Sequence, residues 1–159
     1  MGSISEPGTG SAGRTWGLVR STAAAAAALL LLPAAASAAQ LNVSLQGLRN
    51  LRGQVHLCLT RSADHFPDCS GDPAAVKRSL PANQAAHIAF ELQPGAYALS
   101  VIHDENGNGR LDTSLGIPRE GFGFSNNPHI WFGPPSFAAA RFLLPAGGAA
   151  LNVTMKYML

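Results

Sequence analysis

The segment HDENGNGRLDTSLGIPREGFGFSN (103–126) carries the densest set of side chains that could do chemistry in this chain. Oxygen-bearing side chains stand at alternate positions at Asp104, Asn106 and Asn108, a glycine follows, and Asp112 lies three residues beyond it. Calcium in proteins takes about six to eight oxygen ligands, and alternate side chains of a tight coil with a glycine at its turn can supply them. The spacing therefore predicts a calcium-binding loop.

Two further groups complete the predicted ligand set, and one expected group is missing. A helix–loop–helix calcium site has a bidentate glutamate where this chain has Leu115, and no amphipathic helix flanks the loop. We expect Glu120 to supply that carboxylate and the carbonyl of Arg110 to fill another position. The predicted calcium ligands are Asp104, Asn106, Asn108, Arg110, Asp112 and Glu120. The alternative is a metal-free network of Asx turns in which Asn106-Gly107 supplies positive φ.

The same segment contains groups that could act in catalysis. Glu120 and Asp112 could form a pair of carboxylates as in glycosidases, and His103 could act as a general base. However, His103 and Asp104 are neighbours on a predicted strand, so their side chains point to opposite faces. Ser125 lies in no nucleophile-elbow glycine frame. We predict that the chain is not an enzyme, with a hydrolase built on these groups as the alternative.

A segment rich in aromatic residues and glycine, GFGFSNNPHIWFGPPSF (121–137), follows the polar loop. Exposed aromatic side chains among adaptable polar groups are typical of a ligand-binding surface, which here would take an envelope protein, a peptide or a glycan. The alternative is a long loop folded back over one end of the fold with a core of its own. The predicted partner-binding residues are Phe122, Phe124, Ser125, Asn126, Trp131 and Phe137.

The two cysteines, Cys58 and Cys69, occur in CLTRSADHFPDC. In an oxidising compartment they are expected to form a disulfide, which would contribute about 2–3 kcal/mol in the chain-entropy model. A zinc or copper site of thiols and imidazoles, using His56 and His65, is the alternative, although the spacing matches no strong zinc signature.

The first residues have the pattern of a secretory signal peptide. Arg14 and Arg20 precede the apolar run AAAAAALLLL (23–32), and small residues follow it. We predict a signal peptide over 1–39, cleaved after Ala38 or Ala39, and export to the periplasm or the medium. After cleavage no transmembrane anchor is expected, because no later stretch is long and apolar enough.

The remaining chain, 40–159, has the length of one domain. Its formal charge is close to neutral, because subtracting Arg14, Arg20 and Glu6 from the total of +2 leaves +1. A near-neutral chain lacks the electrostatic footprint of a nucleic-acid-binding protein, so no nucleic-acid partner is expected.

Alternation of apolar and polar residues is the main structural signal after the leader. It predicts strands at 40–48, 54–60, 86–92, 96–103, 141–144 and 150–157. Pro94-Gly95 and Gly147-Gly148 are expected to close hairpins. Short helices are predicted at 72–80 and in FAAARF (137–142). The predicted fold is an all-β antiparallel sandwich of the immunoglobulin or transthyretin type, with about six to eight strands and at most one or two short helices.

The motifs HDENGNGRLD, GIPREGFGFSNN and FGPPSF resemble those of a secreted bacterial family called domain of unknown function 2141. The resemblance covers nearly the whole chain after the leader and is most specific from His103 to Phe137. It implies a small exported β-sandwich, and it supplies no catalytic residues. The segment 113–116 is shorter than is common in the family.

Together these features predict an exported, non-enzymatic β-sandwich module with a calcium loop at 104–112 and a partner-binding loop at 121–137. The alternatives are an envelope hydrolase that uses Glu120 and Asp112, or His103, and a purely structural periplasmic protein with a metal-free loop.

Overall fold

A computed structural model describes residues 37–159. The predicted signal peptide lies outside these residues except for its last three positions. Of those three, Ala39 begins the first strand and is only 1% exposed. No helix within 37–159 is long and apolar enough to cross a membrane.

The described part of the chain contains ten strands, one turn of 3-10 helix at Ala82–Gln84 and one short α-helix. In chain order the strands and the α-helix are β1 (Ala39–Gln46), β2 (Gln54–Thr60), β3 (Val76–Pro81), β4 (His87–Leu92), β5 (Gly95–Asp104), β6 (Thr113–Ser114), β7 (Ile117–Pro118), β8 (Gly121–Phe124), α1 (Phe137–Ala140), β9 (Phe142–Leu144) and β10 (Ala149–Thr154).

Two sheets form the body of the domain, and the prediction of an all-β sandwich is confirmed. One sheet has the strand order β10-β1-β4, and the other has the order β3-β2-β5-β8, with β9 also pairing with β5. Strands β6 and β7 form a separate two-stranded hairpin. All pairs are antiparallel except β1 with β10, which is parallel.

The core lies between the two sheets and is built from the alternate apolar residues of their strands. Leu41 of β1, Leu59 of β2 and Leu99 of β5 each have no exposed surface, and all belong to one buried apolar cluster. Complete burial of a leucine side chain contributes about 1.5–3 kcal/mol. The same alternation places the intervening residues of each strand on the outer face of its sheet.

The predicted hairpin at Pro94-Gly95 is wrong. Strand β4 pairs with β1, whereas β5 pairs with β2 in the opposite sheet. Both strands place apolar residues toward the same core, and period-two patterning does not show which sheet each strand joins. The guanidinium of Arg61 supports this crossing by donating hydrogen bonds to the carbonyls of Gln93 (3.3 Å) and Pro94 (2.6 Å).

The predicted hairpin at Gly147-Gly148 is also wrong. Strand β9 pairs with β5, and β10 crosses to the other sheet to run parallel to β1. Gly148 has a φ of +87°, and a Cβ atom at this position would lie 2.7 Å from the carbonyl oxygen of Gln40. Glycine is therefore required here to let the chain approach β1 closely, rather than to close a hairpin.

The two helix predictions have different outcomes. The helix at 72–80 is wrong, since Val76–Pro81 forms edge strand β3 and Asp72 accepts a hydrogen bond from the N–H of Ala74 in a turn (2.9 Å). The helical turn after Ser136 is confirmed as α1, in which the Ser136 side chain accepts a hydrogen bond from the N–H of Ala139 (3.3 Å).

Candidate functional site

The alternating glycines and phenylalanines of β8 have different neighbours. A Cβ atom on Gly121 would lie 2.5 Å from the ring of Tyr157, and one on Gly123 would lie 2.8 Å from a methyl carbon of Val153. The glycines therefore allow the C-terminal segment to pack closely against β8. Phe122 and Phe124, at the alternate positions, lie on the outer face of the sheet.

That outer face forms the floor of a groove of about 740 Å³. The lining includes residues of β2, β3, β5 and β8, together with parts of the segments 109–118 and 130–134 and Met158. The central floor residues are His56, Cys58, Ser100, Ile102, Phe122 and Phe124. Most of these side chains are apolar, so the groove offers a hydrophobic surface with a few polar groups.

Large apolar side chains on the groove wall are exposed to solvent. Phe132 is 98% exposed, Trp131 is 77% exposed, and Ile117 and Met158 are 43% and 42% exposed. The Trp131 ring stacks on the ring of His129, with centroids 4.9 Å apart. Exposed apolar residues scattered singly are ordinary, but several around one concave surface are typical of a binding site.

The predicted partner-binding phenylalanines contribute mainly to a second, smaller apolar cluster. Phe122 and Phe124 are buried in this cluster, and Phe66, Ile130 and Phe137 pack against it. The Phe66 ring packs against the rings of Phe124 and Phe137, with centroid distances of 5.8 Å and 6.0 Å. The segment thus has a core of its own and still leaves part of its surface to the groove.

Ser125 and Asn126 hold the chain rather than face a partner. Ser125 has no exposed surface; its hydroxyl oxygen accepts a hydrogen bond from the N–H of Leu99 (3.0 Å), and its O–H donates to the carbonyl of Ala140. The exposed Asn126 donates to the carbonyl of Arg141 (2.9 Å). A partner cannot reach Ser125 in this fold, so its predicted contact role is replaced by a structural one.

The carboxylate of Asp104 is the centre of the 104–112 loop. Its Oδ1 accepts hydrogen bonds from the N–H groups of Gly107 (2.7 Å) and Asn108 (3.1 Å). Its Oδ2 accepts from the N–H of Gly109 (2.6 Å) and lies 3.1 Å from Nε2 of His56. The positive φ values of Gly107 and Gly109, +73° and +80°, turn the chain around this side chain.

The exposed half of the loop is closed by Asp112. Its two carboxylate oxygens accept hydrogen bonds from the side-chain amides of Asn106 (2.6 Å) and Asn108 (2.9 Å). Glu120, which is 4% exposed, accepts from the N–H groups of Glu105 and Asp112, both at 3.0 Å. The structure therefore brings these predicted ligands together and joins them to one another.

Arg110 is the remaining member of the predicted calcium set. Its N–H donates to the side-chain oxygen of Asn108 at 3.0 Å, and its guanidinium lies 3.5 Å from the Asp112 carboxylate. The Arg110 side chain in this ion pair is 78% exposed. An exposed ion pair of this kind contributes little to stability.

The hydrogen bonds of this loop already use carboxylate positions that a calcium ion would need. A carboxylate has about four lone-pair positions, and Asp104 already uses four of them. Within 37–159, no group of three or more His, Cys, Asp or Glu side chains has the arrangement of a metal site. The observed bonds are those of an Asx-turn network, and calcium binding stays a prediction.

These contacts lower the pKa values of three carboxyl groups. Burial raises the pKa of Asp104, but the loop N–H groups and the His56 ring lower it more, so it lies below its usual value. The Arg49 guanidinium is the main cause of the lowered pKa of Glu105. The amides of the two loop asparagines lower the pKa of Asp112. All three carboxylates are thus held in their charged form.

The groups predicted for a hydrolase are engaged in structural contacts. The fully buried ring of His103 bonds through Nδ1 to the hydroxyl of Tyr157 (2.7 Å) and through Nε2 to the carbonyl of Arg52 (2.8 Å). Glu120 has both carboxylate oxygens on backbone N–H groups. This arrangement gives neither His103 nor Glu120 access to the groove.

A polar cluster beside the loop was missed by sequence reasoning. The guanidinium of Arg49 pairs with the Glu105 carboxylate, donates to the carbonyl of Arg119 (2.9 Å) and stacks over the Tyr157 ring at 4.6 Å. Burial of Tyr157 raises the pKa of its hydroxyl. Small basic pairs in a sequence resemble solvated surface, and only the fold shows that Arg49 joins three distant segments.

A second constellation missed by sequence reasoning lies on the groove floor. The ring of His56, on β2, stands between two partners: Nδ1 is 2.7 Å from Oγ of Ser79 on β3, and Nε2 is 3.1 Å from Oδ2 of Asp104 on β5. The sequence indicates His56 only as a possible metal-site partner of the cysteines. The adjacency of the three strands, which the sequence does not give, assembles this chain of hydrogen bonds.

Cys58 and Cys69 are joined as a disulfide pair, with their Cα atoms 6.3 Å apart. The thiol–imidazole metal alternative is not supported, because His56 bonds to Ser79 and Asp104 instead. The pair ties β2 to the following loop, next to the cluster that contains Phe66.

Residues 43–152 match the profile of a family described as an uncharacterized protein conserved in bacteria, DUF2141. The chain belongs to this family. The match reaches from β1 into β10 and includes the 104–112 loop and every groove residue except Met158, so the resemblance inferred from the loop motifs is confirmed. Comparisons with curated proteins and with solved structures gave no match.

Proposed function

We propose that this protein is an exported binding module whose groove holds an extended apolar ligand carried by an envelope partner. The observation that carries the proposal is the ring of exposed apolar side chains around the groove, above all Trp131 and Phe132. Exposing apolar surface to water costs about 25 cal/mol per Å². A ligand that covered these side chains would remove that cost.

The chemistry of the groove favours an apolar ligand over a glycan. Sugars stack on exposed aromatic rings, and Trp131 alone would allow that, but sugar hydroxyls also need several convergent polar partners. Apolar side chains, glycines and prolines make up most of the lining, with Ile102, Phe122 and Phe124 on the floor. An apolar peptide or acyl chain needs no hydrogen bonds from such a surface.

The 104–112 loop supports one wall of the groove, which Gly109 and Arg110 line. Because Asp104 receives three backbone N–H bonds, the loop is stiff and its position relative to β5 is fixed. A preformed wall reduces the conformational entropy that a ligand must overcome on binding. The proposed role of this loop is therefore to shape the groove.

Calcium binding by the same loop is a separate proposal. It is supported by the alternating side chains of Asp104, Asn106 and Asn108, and by the clustered carboxylates of Asp112 and Glu120. An ion would have to displace internal hydrogen bonds to use Asp104. Thermal unfolding in EDTA and in millimolar calcium decides: saturation at 100 times the Kd would stabilise by about 2.7 kcal/mol, a rise of several degrees. An unchanged midpoint would leave the Asx network as the whole account of the loop.

The binding proposal can be tested through Trp131 itself, because the only other tryptophan of the chain is Trp16 in the leader. An apolar fluorescent probe such as N-phenylnaphthylamine should shift Trp131 emission to the blue. Phe132→Ala should weaken probe binding about tenfold, which corresponds to ~1.4 kcal/mol.

Leu143→Ala is the matched control for Phe132→Ala. Leu143 is 71% exposed on β9 and is not among the groove residues. Equal probe affinity in wild type and in Phe132→Ala would contradict the proposal. Binding to a glycan panel that is lost in Trp131→Ala would replace the apolar ligand by a sugar.

A further inference from the structure

A serine and a histidine that line the groove, and a buried carboxylate behind them, form a continuous chain of hydrogen bonds, which the binding proposal does not use. From this geometry we propose that Ser79 is an activated nucleophile, that His56 is its general base, and that the protein hydrolyses carboxylic esters with an apolar acyl chain. The inference rests on the proposed groove to hold that chain. It departs from the expectation that the protein is not an enzyme, and it uses residues other than those of the predicted hydrolase.

Asp104 orients the His56 ring and favours one of its tautomers. Its carboxylate is ionised, its side chain is 1% exposed, and the loop N–H groups fix its position. An acceptor at Nε2 favours the tautomer with its proton on that nitrogen, which leaves the lone pair of Nδ1 directed at the Ser79 hydroxyl, 2.7 Å away. Asp104 is thus a positioning residue, as the acid is in a serine–histidine–aspartate triad, although here the two ring nitrogens exchange roles.

The three residues differ in their exposure to the groove, and the order of exposure is the one that catalysis requires. Ser79 is exposed, and the His56 side chain is 26% exposed, whereas Asp104 is buried. Ser79 and His56 both line the groove, so an ester bound there can reach the serine oxygen. The nucleophile therefore meets the substrate while the orienting carboxylate stays away from water.

The surroundings of Ser79 can stabilise a developing negative charge. Lys77 lies two residues earlier on β3, on the same strand face, and also lines the groove. Strand β3 is at the edge of its sheet within 37–159, so its outward backbone N–H groups have no strand partner among these residues. An ammonium group and such N–H donors are the groups that stabilise a tetrahedral oxyanion.

The reaction proceeds in two balanced steps. Oγ of Ser79 bonds to the ester carbonyl carbon while its proton passes to Nδ1 of His56; the C–O bond to the alcohol then breaks, and His56 returns the proton to the departing alkoxide. Water, deprotonated by His56, then attacks the acyl-serine carbonyl and releases the free acid and the serine hydroxyl. One ester and one water give one acid and one alcohol, and no oxidant or cofactor is needed.

The first test needs no variant. The wild-type protein is incubated with phenylmethanesulfonyl fluoride and then digested and analysed by mass spectrometry. We expect a sulfonyl adduct on the peptide that contains Ser79, together with loss of p-nitrophenyl ester hydrolysis. Esters of medium-length acyl chains should be hydrolysed faster than the acetate, because the groove binds the apolar chain. Absence of an adduct, or adducts spread evenly over several serines, would overturn the proposal.

Variants then assign the roles. Ser79→Ala should reduce hydrolysis to the background rate, and His56→Gln should lower kcat/KM about 10²–10⁴-fold. Ser44→Ala is the matched control: Ser44 also bonds to a histidine, with its Oγ 3.1 Å from Nδ1 of His87, but it lies in the other sheet and away from the groove. Full hydrolysis in Ser79→Ala, with the fold intact by circular dichroism, would refute the assignment.

Trp131 emission in the same samples separates this inference from the binding proposal. A blue shift with the apolar probe, without an adduct at Ser79, would overturn catalysis and leave the groove as a binding site. An adduct at Ser79 that forms without any probe binding supports the nucleophile and contradicts the groove proposal.

Discussion

His103 and Asp104 are consecutive residues at the end of β5, and their side chains lie on opposite faces of the sheet. The His103 ring bonds to Tyr157 and to the carbonyl of Arg52, whereas the Asp104 carboxylate bonds to His56 and to the turn of the following loop. The end of one strand thus fixes the C-terminal segment on one side and a groove wall on the other. Alternation along a strand makes both attachments possible at adjacent positions.

Replacing Asp104 by asparagine should destabilise the protein even without metal. An amide keeps a single acceptor oxygen, so at least one N–H of the loop loses its partner, at a cost of about 1–3 kcal/mol. Urea unfolding in EDTA measures this, and the exposed Asp64→Asn is the control. A loss of stability that appears only in calcium would instead identify Asp104 as a metal ligand.

Adding one methyl group to β8 should also destabilise the fold. In Gly123→Ala the new Cβ would lie 2.8 Å from Cγ1 of Val153 and 3.1 Å from Sδ of Met155. Overpacking of this kind costs about 1–3 kcal/mol, and we expect the thermal midpoint to fall by several degrees. Gly147→Ala is the control, since its Cβ would meet no atom within 4 Å. Equal midpoints for the two variants would contradict the packing described for β8.

Acidic pH should lower the free energy of unfolding, because it protonates the charged carboxyl groups of the loop. The pKa values of Asp104, Glu105 and Asp112 are lowered on folding, so the unfolded chain binds more protons at acidic pH. Their contribution to stability is complete above the unfolded values, near 3.8 for aspartate and 4.5 for glutamate, and is lost as the pH falls through the folded ones.

The contribution of these three groups to the free energy of unfolding should therefore be constant between about pH 7 and 6. It should decline steadily below about pH 4. Denaturant titrations at a series of pH values measure it. The acid decline should become shallower in Asp112→Asn. A decline of the same slope in that variant would show that Asp112 is not among the groups responsible.

Cleavage of the predicted signal peptide should leave Ala39 in place. Ala39 is 1% exposed and pairs with Leu92 at the start of β1, so cleavage after Ala38 keeps the strand whole. Intact-mass measurement of the exported protein should give Ala39 as the first residue. A chain that starts at Gln40 would show that the first strand pair is dispensable, and an uncleaved chain would contradict the predicted signal peptide.

Sequence patterns predicted most of the strands and the position of the polar loop. Alternation identifies β1, β2, β4, β5 and β10, because one face of each strand packs into the core. It does not say which strands pair, so the sequence predicts a hairpin of β4 and β5 although they lie in opposite sheets. Asp72 and Pro73 have the residue types of a helix start, so the sequence predicts a helix after them. In the structure, pairing with β2 makes Val76–Pro81 a strand.

The candidate site was predictable only where its residues are close in sequence. Asp104, Asn106, Asn108 and Asp112 form one loop, as their spacing indicated. His56 and Ser79 lie on separate strands, and only the order β3-β2-β5 brings them into line with Asp104. Hydrogen-bond chains of this kind depend on long-range pairing, which no local pattern records.

The parallel pairing of β1 with β10 links the order of synthesis to the completion of the fold. Strand β1 occupies the centre of its sheet, but one of its two neighbours is β10, the last of the ten described strands. Until Ala149–Thr154 has been synthesised and has paired, β1 is left with an open edge, which is a template for pairing with other chains. Such a topology is of high contact order and folds slowly. A chain of this design would gain most from a chaperone during the interval before β10 pairs with β1.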